Sequence, residues 1–162
     1  MHWRGSVTKS ARSSFPDVQH HRTGTLSAVE VPATVYEAMI RHSMSAAPLE
    51  ACGLVAAGPD GRAVMAYCLA NLDASPVSYT LDPSEHIRAL HHAESNGWHL
   101  AAVFHSHPDG PAVPSATDVA KALEPEWLYF IVGLADLGRP AVRGFWIVDG
   151  VVTEEPIVLE AA

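Results

Sequence analysis

A chain of 162 residues, 48% of them apolar, can bury one sizeable core but is short for two. Its formal charge of -8 leaves no basic footprint for a phosphate backbone, so direct binding to nucleic acid is not expected. Two cysteines, Cys52 and Cys68, without Cys-x-x-Cys spacing fit a reducing cytoplasm better than a disulfide scaffold; the N-terminus lacks the continuous apolar core of a signal peptide, and no apolar run approaches the length of a membrane span.

Residues 1–25 are polar and aperiodic, with Ser13-Ser14 and His20-His21-Arg22, and are expected to form a disordered extension without chemistry of their own. From residue 26 onward a single domain is expected, reaching residue 162. Residues 26–31 alternate as a half-buried strand, and Pro32 then opens a helix through Tyr36, Met39 and Ile40 that Pro48 prevents from continuing. Residues 50–57 read as a short central strand with Glu50 at its mouth, where an unpaired carboxylate is costly and needs a reason. Pro59-Asp60-Gly61-Arg62 turns the chain into a returning strand over 63–69, and a further short strand is expected at 78–81. Asp82-Pro83-Ser84-Glu85 is a helix-start signature, with Asp82 as cap and Glu85 reaching back; the helix should run to Asn96 and stop on Gly97. Residues 98–107 form the next strand, 127–135 and 141–148 two more, and 151–159 the last.

The chemistry concentrates where the 98–107 strand ends. Side chains two apart on a strand share a face, so His105 and His107 can point at one ion while Ser106 points away. After a proline-rich loop, Ser115 fits a helix N-cap and Asp118 falls in the first turn, on the same side of the helix start. Two imidazoles and one carboxylate leave a fourth tetrahedral position open, the mark of a catalytic rather than a structural zinc. Each residue alone has a plainer reading: Ser115 and Asp118 make an ordinary capping box, Glu50 a strand-end ion pair, and His105 a satisfied core histidine. Their conjunction favours the metal site. Cys52, on the Glu50 face of its strand, reads as small buried packing, and the adjacent His91 and His92 as solvent-facing or partly packed helix residues.

The pattern His-x-His, seven residues, Ser, two residues, Asp, with a Glu upstream at Glu50-Ala51-Cys52-Gly53-Leu54, resembles the JAMM/MPN+ metalloprotease motif, with every motif position filled. The resemblance implies an α/β, single-domain JAMM/MPN fold of the cytidine-deaminase-like kind: a curved mixed sheet flanked by helices near 33–46 and 83–96, with the site at one sheet edge. It further implies one Zn2+ per chain, held by His105, His107 and Asp118, with Glu50 as general base and Ser115 as hydrogen-bond donor to the oxyanion. Iron or another divalent ion would accept the same ligands. Family members cut the amide after the Gly-Gly tail of a ubiquitin-like protein. The short single-domain form is similar to bacterial peptidases that release cysteine from a sulfur-carrier protein, so a ubiquitin-like sulfur carrier is the expected partner and cysteine biosynthesis the expected setting. Removal of another adduct from such a tail is the close alternative. A non-catalytic MPN scaffold is disfavoured by the intact ligands, and a DNA-repair-associated relative by the acidic balance and the lack of a helix-hairpin-helix pattern.

Overall fold

The computed structural model describes residues 28–160, and the expectation for residues 1–25 lies outside them. Its elements run β1 (Val29–Pro32), α1 (Ala33–Ala46), β2 (Cys52–Ala57), β3 (Ala63–Leu69), α2 (Pro83–Ser95), β4 (His99–His107), α3 (Ala116–Lys121), β5 (Leu128–Gly133), β6 (Ala141–Val148), β7 (Val151–Glu155) and β8 (Ile157–Glu160). Six strands form one mixed sheet in the order β3-β2-β4-β5-β6-β7, and β1 and β8 pair separately in parallel. Only β4 and β5 run parallel within the large sheet, and they are the pair joined through the 108–127 connection that carries α3.

The central strands β2, β4 and β5, buried except at the two ends of β4, read as near-continuous apolar runs because both faces of the sheet are covered. On one face α1 sets Val35 and Met39, one turn apart, against Val55, Ala102, Phe104 and Phe130. On the other, Ala89 and Ala93 of α2 meet Leu54, Ala56, Val103 and Ile131. Phe104, Phe130 and Met39 are wholly buried, each worth about 1.5–3 kcal/mol relative to an exposed position. Gly53 is dictated by this packing, since a Cβ there would lie 2.1 Å from the Tyr67 carbonyl oxygen and 2.3 Å from the Phe104 ring.

Four expectations are corrected. Residues 78–81 form no strand; a lone bridge joins Asn71 to Leu81, because the Asn71 side chain takes over the backbone bonding, accepting from Thr80 N and donating to Ser78 O. The 151–159 strand breaks at Pro156, which has no N–H for a ladder, and the chain leaves β6 to pair with β1. Asp82 caps α2 by accepting from Ser84 N and Glu85 N, but Glu85 does not reach back; its carboxylate accepts from Ala70 N at 2.6 Å and ties the helix to the end of β3. The histidines also end a strand in the middle of the sheet, not at its edge. Antiparallel pairing of β2 with β4 brings the start of one beside the end of the other, which is how Glu50 reaches residues 55 positions and more away.

Candidate metal centre

The alternation of β4 decides which residues meet. His105 and His107 emerge on the Val103 face, the one covered by α2, while Ser106 turns to the opposite side and accepts a hydrogen bond from Ala51 N at 2.8 Å. Ser106 N in turn donates to Ala51 O at 3.0 Å, so the backbone before β2 is stitched to the end of β4. The pairing Cys52 with His105 continues to place Glu50 across from His107 on the same face. Two further bonds hold the Glu50 backbone: its N–H donates to Ser75 O at 2.9 Å and its carbonyl accepts from Asn71 Nδ2 at 3.0 Å.

The loop from Pro108 to Pro114 is pressed onto β5. Gly133 makes room for it, because a Cβ there would sit 2.4 Å from Ala112 N. Leu134 N and Ala135 N donate to the His107 and Gly110 carbonyls. The chain then enters α3 through a reciprocal capping box, in which Asp118 N donates to Ser115 Oγ at 3.1 Å and Ser115 N to Asp118 Oδ2 at 2.6 Å. Cap and candidate ligand are therefore the same carboxylate.

His105, His107 and Asp118 converge, with one donor atom from each lying within 4.8 Å of the others. His105 Nε2 is 3.1 Å from His107 Nε2 and 3.1 Å from Asp118 Oδ1; His107 Nε2 is 3.2 Å from Asp118 Oδ2. Tetrahedral zinc with bonds of about 2.1 Å needs ligand atoms roughly 3.4 Å apart, so this donor set fits such an ion. The tautomer of His107 agrees: Nδ1 is 3.0 Å from the Pro111 carbonyl, which can only accept, so Nδ1 carries the proton and Nε2 turns its lone pair inward. Tyr79 stacks on the His105 ring at 4.7 Å between centroids, with 21° between planes, and fixes the ring's orientation. His105 is only 1% exposed, against 13% for His107 and 11% for Asp118, so the cluster opens to solvent on the α3 side.

Burial and the neighbouring groups set the charges. Burial lowers the pKa of His105 and keeps it neutral, as a ligand must be. For His107 burial acts in the same direction, but its bonds to Asp118 and to the Pro111 carbonyl outweigh it and raise the group. Asp118 is likewise opposed by burial, yet the two imidazoles and Ser115 N hold its carboxyl well below the usual carboxylate range. Glu50 goes the other way: 5% exposed, with Oε2 lacking a hydrogen-bond partner among the described residues, it is raised from 4.5 to about 7 by burial and by Asp118 and Asp73, against the pull of His107 and Lys121. A buried carboxylate with an unused oxygen beside a donor cluster is poised to take a proton near neutral pH.

All five residues expected from the sequence lie at this end of the sheet, with Ser115 exposed beside Asp118. Cys52 faces the same way but is wholly buried, and its thiol is pushed up to about 12 by burial and by Glu50; it bonds to the Leu69 and Ala70 carbonyls and stays a packing residue. His91 and His92 are exposed on α2, with His92 Nδ1 2.8 Å from the Tyr67 hydroxyl. Sequence reasoning missed Tyr79 and Lys121. Tyr79 stands in a loop with no local signal, whereas Lys121 follows Asp118 by three positions on α3, a spacing that puts it on the same face.

Residues 32–148 match the prokaryotic homologues of the JAB domain. The chain is 38% identical over 138 residues to the CysO-cysteine peptidase of Mycobacterium tuberculosis, covering 84% of this chain and 94% of that protein. It is 36% identical over 113 residues to the desampylase of Haloferax volcanii, covering 66% and 81%. Among solved structures, a Desulfitobacterium hafniense protein superposes with a TM-score of 0.76 at 37% identity, over 83% of this chain and 94% of that one.

Proposed function

The chain belongs to the family of prokaryotic JAB-domain homologues, peptidases of the JAMM type, and from that premise we propose that it is a zinc peptidase that hydrolyses the amide following the C-terminal Gly-Gly tail of a ubiquitin-like sulfur-carrier protein, releasing cysteine. The observation that carries the reading is Glu50, buried with an unpartnered Oε2, set across the β2/β4 pair from a convergent His105, His107 and Asp118.

Zn2+ held by His105 Nε2, His107 Nε2 and an Asp118 oxygen would supply a Lewis acid and make hydroxide available near neutral pH. Glu50 accepts the proton of the attacking water as the new C–O bond forms, and returns it to the amine nitrogen as the C–N bond breaks. The Ser115 oxygen already accepts from Asp118 N, which leaves its own hydrogen to donate to the oxyanion that develops on the carbonyl. His107 keeps its tautomer through the Pro111 carbonyl, and Tyr79 keeps the His105 plane fixed.

Mass spectrometry of a sulfur carrier bearing a C-terminal cysteine, incubated with zinc-loaded protein, should show loss of one cysteine, and Glu50→Gln should leave the carrier intact. An unchanged carrier with zinc bound refutes the substrate and points to the second reading, removal of another adduct from a ubiquitin-like tail, which similarity to a desampylase supports. An unchanged carrier on a protein that binds no zinc returns the chain to the scaffold class.

A further inference from the structure

Lys121 is the only lysine among the described residues, and it stands one helical turn beyond Asp118. Residues three apart on a helix have Cβ atoms about 5–6 Å from one another, so its side chain rises beside the carboxylate of the metal cluster. A small cleft next to the cluster is lined by Ser78, Tyr79, Thr117, Asp118, Lys121 and Tyr129. The Lys121 charge is also felt outside the cleft, by Glu50 and by Asp73, the latter held low first by the Thr80 and Ser78 hydroxyls. Yet Lys121 makes no ion pair within 4.0 Å among the described residues, whereas Arg62 and Arg143 are committed to Glu160 and Glu154.

An uncommitted cation beside a peptidase centre has a chemical consequence for the leaving group. When the group released is a single amino acid, its α-carboxylate is attached one carbon from the scissile nitrogen and must enter the site as an anion. Glu50, Asp118 and Asp73 would repel it there. When the group released is a lysine side chain in an isopeptide bond, the same position holds only methylene carbons. We propose that Lys121 binds the α-carboxylate of the leaving amino acid and so selects C-terminal amino-acid adducts over isopeptide conjugates. The inference rests on the peptidase reading above and adds to it the charge of the leaving group.

The test uses zinc-loaded full-length protein and carriers whose tails end in Gly-Gly-Cys, either as the free acid or as the C-terminal carboxamide, which differ only in that charge. For the wild type, kcat/KM should favour the acid by roughly ten- to hundredfold, the range of a hydrogen bond between charged groups. In Lys121→Met the acid-to-amide ratio should collapse toward one, whatever the change in absolute rate, and Lys121→Arg should restore most of it. Lys121 is exposed, so neither substitution threatens the core. Hydrolysis of acid and amide at equal rates by the wild type, or an unchanged ratio in Lys121→Met, overturns the role of Lys121 while leaving the peptidase reading standing. Hydrolysis of neither overturns the substrate reading, and this inference with it.

Discussion

Replacing Glu50 by glutamine should stabilise the metal-free protein at the same time as it removes the proposed base. The carboxyl is 5% exposed, Oε2 has no hydrogen-bond partner among the described residues, and its pKa is raised from 4.5 to about 7. The folded state therefore holds a proton between pH 4.5 and about 7 that the unfolded chain has already released. The stability contributed by the protonated carboxyl is complete below pH 4.5, falls as pH rises, and is lost once pH passes 7. A displacement of this size corresponds to about 3 kcal/mol, comparable to burying one large apolar side chain. Glutamine has nearly the same shape and never ionises. In urea denaturation with a chelator present, Glu50→Gln should match the wild type near pH 4.5 and exceed it by about 3 kcal/mol at pH 8. Histidine and Asp118 titrations are common to both proteins and cancel in the comparison to first order. A variant no more stable than the wild type at pH 8, or more stable by the same amount at both pH values, would refute the claim that Glu50 is buried as a strained base.

Other substitutions separate holding the metal from using it. His107→Ala should lose stoichiometric zinc by elemental analysis, whereas Glu50→Gln should retain it with turnover abolished; zinc loss in Glu50→Gln would reassign Glu50 as a ligand. Ser115→Ala removes a cap and, on the proposed mechanism, an oxyanion donor, so thermal unfolding should report a loss of only about 1 kcal/mol, while kcat should fall by roughly 10²–10³. A drop in kcat no larger than the cap loss explains would leave Ser115 as a capping residue alone. Gly133→Ala places a Cβ 2.4 Å from Ala112 N, so the loop that carries Pro111 must move. Weaker zinc binding with the core still folded is the expected result, and unaltered zinc affinity would show that the loop does not position His107.

Where the chemistry depended on local spacing, it was legible in the chain. His105 and His107 share a face because strand side chains alternate, and Ser115 with Asp118 forms the capping box its four-residue pattern requires. The boundaries of β3 and β6 coincide with the apolar runs and turn residues that bracket them. Errors arose where a side chain displaced a backbone ladder, as Asn71 does for residues 78–81, or where one proline divided an expected strand between two sheets, as Pro156 does.

The sequence by itself determined which groups could act as ligands, base and cap, since these depend on residue type and short-range geometry. Only the tertiary structure decided that they meet at one place. The β2/β4 register carries Glu50 to the cluster, burial by the sheet and its neighbours raises its carboxyl, and Tyr79, in a loop 26 positions before His105, lays its ring on that candidate ligand. Pairing across long separations and the exclusion of water are properties of the assembled sheet, and neither leaves a periodic trace in the residues that take part.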